Sequence, residues 1–281
     1  MANLVAIVGV THNPFLPGLL RQPPAPDPTL TRIAEDYAAM RTWMAQAEPD
    51  TLVVIGSDHL NQWFMDNMPA FSIGKASVAS GPFPHEQHGF RLAGYEARVD
   101  ADLAKALLYE GSCQGVDFAF SDEFLVDHAF TVPLGFVRPE MDLPIVPIWT
   151  NVMAPPVPSA TRFYAVGQAL RRAIQALPGD RRIGVLASGH LSIEIGGPRP
   201  YTGATDAAFD RRMMELISAG AASTVVEEAS WERMLRAGNV TAGFLNYVLL
   251  MGLAGGRPPD RSGVHFPAAT AAVPFMAWGE A

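Results

Sequence analysis

Apolar runs that stop on a histidine constrain this chain more than any other feature. Residues 2–10 (Ala-Asn-Leu-Val-Ala-Ile-Val-Gly-Val) read as a buried strand and run straight into Thr11-His12-Asn13-Pro14. Residues 51–57 (Thr-Leu-Val-Val-Ile-Gly-Ser) repeat the pattern and lead into Asp58-His59-Leu60-Asn61, and the run from Arg182 ends in Ser188-Gly189-His190. Short apolar runs separated by helical segments mark strands buried on both faces of a mostly parallel sheet. In open sheets of that kind, ligands bind outside the carboxyl ends of the strands. Three imidazoles at one such edge, with His128 in an acidic segment, read as a metal or acid–base site rather than as separate structural histidines.

The segments between these runs fit an α/β chain. Ile33, Tyr37, Met40, Met44 and Ala47 recur at helical spacing over Leu30–Ala47, behind Asp27 or Thr29 as a cap. That helix makes a βαβ unit in which the first two strands lie side by side in parallel, bringing His12 toward His59. The prolines from Pro14 to Pro28 exclude helix and central strand there, and make this loop a wall or lid beside His12. A short strand is expected within Met68–Gly74. Residues 80–89, with His85 and His88, read as a solvated loop, and Gly94–Leu108 as an amphipathic helix. Val116–Phe120 reads as a strand. Leu143–Trp149 carries Pro144 and Pro147 and reads as an edge or irregular strand. Helices are expected over Ser159–Leu177, Asp206–Ser218, Val225–Arg236 and, nearly all apolar, Thr241–Leu253. The tail alternates Gly and Pro with small and apolar residues.

The expected architecture is a single α/β domain over residues 1–281, a mostly parallel central sheet flanked by helices. A net charge of −8 argues against a nucleic-acid partner. No apolar run is long enough to span a bilayer and no targeting signal is apparent, so a soluble cytoplasmic protein is expected. Low charge with 49% apolar residues leaves room for an oligomer interface, with its own copies or with a related subunit. The single cysteine, Cys113, excludes an internal disulfide and a thiolate metal cage, and reads as a structural thiol. The chemistry left open is a His/carboxylate site for Fe(II), Mn(II) or Zn(II).

Five stretches together resemble a known family. They are Thr11-His12-Asn13-Pro14; Asp58-His59 with Asp66-Asn67-Met68-Pro69-Ala70-Phe71-Ser72-Ile73-Gly74; Val126-Asp127-His128 with Val132-Pro133-Leu134; Ser188-Gly189-His190-Leu191-Ser192; and His265-Phe266-Pro267-Ala268. Their order and spacing resemble the class III extradiol ring-cleavage dioxygenases of the protocatechuate 4,5-dioxygenase β-subunit type. The resemblance implies a non-haem Fe(II) held by His12 and His59, a catechol-like substrate opened with O2 beside its diol, and His128 as the histidine that handles the substrate hydroxyl. His190 is a further candidate proton carrier, and Asp127, Asn61 and Tyr201 are candidate substrate contacts. Trp63, Phe130 and Tyr201, with the 81–89 loop, are candidates for shaping the pocket.

Two departures from the family pattern stand out. Gly243 occupies the position of the family's carboxylate ligand, and Thr241–Leu253 contains no Asp or Glu. Ile193 occupies the position of the family's acid–base histidine, while His190 replaces a glycine. Glu194, Asn246 or His190 could refill the vacant coordination position. A site of His12, His59 and His190 would suit Zn(II) as well as Fe(II). Two alternatives therefore stand beside the dioxygenase: a metal-dependent hydrolase or lyase on the same scaffold, and a non-catalytic partner subunit.

Overall fold

The chain's apolar runs become the middle of one sheet. In the computed structural model, which describes residues 1–21, 27–199 and 205–280, the elements in chain order are β1 (Asn3–Thr11), α1 (Leu16–Leu20), α2 (Pro28–Gln46), β2 (Thr51–Ser57), β3 (Phe71–Gly74), β4 (Val78–Gly81), α3 (Pro84–Phe90), β5 (Tyr95–Arg98), α4 (Ala101–Cys113), β6 (Ala119–Ser121), α5 (His128–Val137), β7 (Ile145–Thr150), α6 (Ala160–Ala176), β8 (Arg182–Gly189), α7 (Ala207–Ser218), α8 (Ala222–Glu228), α9 (Trp231–Ala237), a 3-10 turn (Thr241–Phe244), α10 (Leu245–Leu253), β9 (Arg261–His265) and β10 (Val273–Trp278). Eight strands form one sheet in the order β6-β3-β7-β2-β8-β1-β10-β9, and β4 pairs with β5 alone. The core of the sheet, β7-β2-β8-β1, is parallel; β3, β10 and β9 add antiparallel pairs. This is the α/β architecture the sequence predicts.

Strand alternation divides the core in two. Ala6, Val8 and Val10 of β1 and Leu52 and Val54 of β2 pack with Ile33, Tyr37, Met40 and Met44 of α2 and with the apolar face of α5. Ile7, Val53, Ile55, Val185 and Ala187 face the other way, onto α6 and α10. Helices α6 and α10 approach so closely that a Cβ at Gly167 would lie 2.0 Å from the Leu249 carbonyl oxygen, so glycine is required there. Asp27 accepts from Thr29 N and caps α2, one of the two caps the sequence offers.

Several expectations change. β1 and β2 are not neighbours: β8 lies between them, paired in parallel with both. The helix behind β1 and β2 fixes their direction but does not forbid a third strand from entering the gap. β7 is central rather than edge, because pairing with β3 stops at Ile148, one residue short of Pro147. The Pro14–Pro28 stretch contains the short helix α1, and Pro28 opens α2, a first-turn position where no N–H is needed; residues 22–26 lie outside the described residues. The segment 80–89 holds the end of β4 and α3, and residues 94–108 divide into β5 and the start of α4. Residues 225–236 are shared between α8 and α9, and residues 241–253 between the 3-10 turn and α10. The tail supplies β9 and β10; β10 pairs with β1 and β9 with β10, giving this Gly- and Pro-rich sequence a partner that local pattern does not reveal. Among the described residues, no helix is long and apolar enough to cross a membrane.

Candidate metal centre

Three parallel strands deliver three histidines to one point. Thr11 pairs with Gly189 across β1 and β8, so His12 and His190 follow side by side at the carboxyl edge. β2 pairs on the other side of β8 and ends at Ser57, two residues before His59. The ring centroids of His12 and His190 lie 4.0 Å apart, and those of His12 and His59 5.1 Å. One nitrogen from each of His12, His59 and His190 falls within 4.8 Å of the others, close enough for the three to converge on one cation.

The hydrogen bonds around these rings set which nitrogen faces the centre. Ser188 Oγ donates its only proton to the Ala129 carbonyl (2.6 Å), so toward His12 Nδ1, 2.8 Å away, it must accept. His12 therefore carries its proton on Nδ1 and keeps a bare lone pair on Nε2. That Nε2 is buried and has no hydrogen-bond partner. A buried imidazole nitrogen left bare among two others fits a metal, because an unpaired buried acceptor is otherwise a net cost. His59 Nδ1 donates to Asp127 Oδ2 at 2.9 Å, and His59 N donates to the same oxygen. This is the carboxylate–histidine arrangement that orients metal-binding imidazoles. The turn after β1 is held as firmly: Thr11 N donates to the Tyr37 hydroxyl and the Tyr247 hydroxyl donates to the Val10 carbonyl.

The electrostatics separate the histidines. Burial pushes His190 down to about 3, with the neighbouring His59 and His128 adding to the effect, and burial likewise holds His12 well below the usual range. Imidazoles kept neutral in this way suit metal ligation. Burial would also lower His59, but the Asp127 carboxylate in contact with it turns the net shift upward. His128 is lowered by burial and by His59, with Glu86 opposing. Its Nδ1 lies 2.5 Å from Glu86 Oε1, leaving Nε2 for the cavity.

A cavity of about 550 Å³ opens over these rings, lined by His12, His59, His128 and His190 on its floor and by Pro14, Phe15, Phe90, Val152, Ile193 and Val240 among its walls. Asn61 lines it and donates to Glu86 at 3.3 Å. Glu86 itself was not singled out by sequence: it stands in the segment read as a solvated loop, and only the fold of α3 against α5 pairs it with His128. His85 lines the mouth from the same helix.

Other candidates are placed elsewhere. Asp127 has no exposed side chain; one oxygen caps α5 through Ala129 N and the other holds His59, so it positions a ligand instead of touching substrate. Glu194 is no replacement ligand: its carboxylate pairs with Arg199 at 2.7 Å and accepts from Asn239 N. Asn246 binds Ser57 Oγ, the Ser188 carbonyl and the Thr150 hydroxyl, tying three strand ends together beneath the site. Trp63 packs on Trp149 and Phe130 is fully buried, so neither lines the cavity. Tyr201 lies outside the described residues. His265, on β9, pairs with Asp36 of α2, away from the cavity.

Gly243 stands directly against His190 at the edge of the site. The end of β8 closes on the 3-10 turn so tightly that a Cβ at Gly189 would lie 2.4 Å from the Gly243 carbonyl oxygen. A Cβ on Gly243 would lie 3.3 Å from His190 N and 3.4 Å from His190 Cδ2. The backbone position without a side chain and the added imidazole thus face each other across the same small volume.

A family model described as the catalytic LigB subunit of aromatic ring-opening dioxygenase matches residues 6–273. This chain belongs to that family. The family implies a metal cofactor, in keeping with the bare His12 Nε2. Similar sequences include a 2,3-dihydroxyphenylpropionate/2,3-dihydroxicinnamic acid 1,2-dioxygenase 2 of Pseudomonas putida, 33% identical over 186 residues, covering 66% of this chain and 56% of the relative. The enzyme of the same activity from Rhodococcus jostii RHA1 is 32% identical over 206 residues, covering 72% of this chain and 60% of the relative. The match therefore spans little more than half the length of these relatives. Among solved structures, an uncharacterized protein of Escherichia coli K12 (JW3007) shares the fold, with a TM-score of 0.61 at 13% identity over 98% of this chain and 100% of the other.

Proposed function

We propose that the chain is a metal-dependent extradiol-type dioxygenase that opens a catechol-like ring with O2, using Fe(II) held by His12, His59 and His190. The observation that carries this reading is the bare, buried Nε2 of His12 beside nitrogens of the other two rings, under a cavity large enough for an aromatic. Fe(II) in that seat supplies the one-electron chemistry that O2 requires. The protein supplies the rest. Ser188 and Asp127 fix the tautomers and aim of His12 and His59. His128, backed by Glu86, takes the proton of a substrate hydroxyl at Nε2 and returns it to the opened product, and Asn61 beside it donates to a substrate oxygen. Because burial holds His190 neutral, the ligand role fits it better than the proton carriage expected from sequence. The apolar walls exclude bulk water from the reacting ring.

The test is anaerobic reconstitution with Fe(II), followed by a panel of catechols, aminophenols and gallates, with O2 uptake and ring-opened product followed together. Metal bound with no turnover across the panel counts against oxygenase chemistry. A second reading draws on the same three imidazoles, a donor set equally suited to Zn(II) in a hydrolase or lyase. Zn(II) retained through purification, with activity that needs no O2, would favour it.

A further inference from the structure

Resting on the ring-cleavage reading, we propose that the compound opened here carries an uncharged, apolar substituent beside its diol and no carboxylate. At about 550 Å³, the cavity falls in the range of about 300–1,000 Å³ that encloses drug-sized ligands, so a ring with a side chain fits. The metal and His128 answer the charge of the diol. Among the described residues, the polar lining beyond the metal-facing rings and His128 is sparse, with Asn61 beside His128 and His85 at the mouth. No Lys or Arg among the described residues lines the cavity, and residues 22–26 and 200–204, outside the described set, contain neither in the sequence. Arg199, next to this wall in the chain, is committed to Glu194 at 2.7 Å and to the carbonyls of Arg236 and Ala237.

The groups that do face a substituent are apolar: Val152 and Ile193 are buried, Met153 and Val240 half-buried, and Ile195 stands at the mouth. The carboxylate in the lining, Glu86, already accepts from Phe83 N and Asn61, and would repel an anion. A carboxylate moved into such a wall loses its hydration and gains no partner, among the larger penalties in molecular recognition, while an alkyl group gains by burial. The relatives named for 2,3-dihydroxyphenylpropionate act on a carboxylate-bearing compound; this cavity selects against one.

The experiment compares two catechols matched in shape: 3-isopentylcatechol and 2,3-dihydroxyphenylpropionate, in which a carboxylate replaces the terminal isopropyl group. Calorimetric titration into Zn(II)-loaded protein reads binding without turnover. The alkyl compound is expected to bind at least about tenfold more tightly, the unpaired carboxylate bearing its desolvation cost. Ile195→Arg, at the exposed mouth, is expected to shift the ratio about tenfold toward the carboxylate compound by offering a guanidinium. His85→Ala, which removes the remaining imidazole at the mouth, is expected to leave the ratio unchanged. Equal or tighter binding of the carboxylate compound by the wild type overturns this proposal alone. A ratio in His85→Ala that moves about tenfold against the carboxylate compound would make that ring its receptor and also overturn it. Binding of neither compound overturns the ring-cleavage reading as well.

Discussion

Exchanging the third ligand between two facing backbone positions is the most demanding test of the metal centre. His190→Gly removes one of the three nitrogen donors proposed for the metal. Losing even an outer partner of a ligating histidine costs about 10–100-fold in metal affinity, so losing the ligand itself is expected to cost at least about a hundredfold. Gly243→Glu alone is expected to bring no gain: its Cβ would stand 3.3–3.4 Å from His190 N and Cδ2, so the carboxylate and the imidazole compete for one space. In the double variant His190→Gly/Gly243→Glu, the carboxylate enters the vacated volume. Affinity is expected to return to within about tenfold of wild type, a favourable coupling of about 1–3 kcal/mol between the two positions. Competition for Fe(II) against a chromophoric chelator under anaerobic conditions measures all four proteins, with thermal melts confirming that each is folded. A double variant that binds as weakly as His190→Gly would show that the 3-10 turn does not reach the metal seat.

Three further outcomes follow from particular contacts. Ser188→Ala frees the tautomer of His12 while leaving the ring in place, and is expected to weaken Fe(II) binding about 10–100-fold in the same competition assay. Glu86→Gln keeps the shape but removes the charge behind His128 Nδ1; metal content should be unchanged while kcat falls by about tenfold to a hundredfold, so a parallel loss of metal would refute the assignment. Asp210 is buried, accepts from Ser192 N and Oγ, and is pushed up to about 7, chiefly by burial. A carboxyl whose folded value lies above its unfolded value binds its proton more tightly in the fold, so stability is lost as pH rises from about 4 to 7, by up to about 4 kcal/mol. Denaturant titrations across that range should show the loss in wild type and a flattened profile in Asp210→Asn.

The sequence by itself determined the sheet's buried strands and the placement of His12, His59 and His190 at their carboxyl ends. Continuous apolar runs and their terminal residues are local signals, and burial on both faces admits few other readings. The stripe of α2 and its Asp27 cap were legible for the same reason. Strand order was not: no local pattern in β1 or β2 says that β8 enters between them, and that insertion is what sets His190 against His12. Glu86 was hidden because its role depends on α3 packing against α5, contacts 42 residues apart. Glu194 looked available because it lies four residues beyond His190; the fold gave its carboxylate to Arg199 instead. Asp127 and His128 were visible as a pair, but only the tertiary structure divided their work, turning one inward to hold His59 and leaving the other at the cavity. The lack of a side chain at Gly243, and of any Asp or Glu in Thr241–Leu253, could be read in the sequence. That an imidazole stands in the space across from Gly243 was decided by the close approach of β8 to the 3-10 turn, a contact that exists only once distant strands and helices pack.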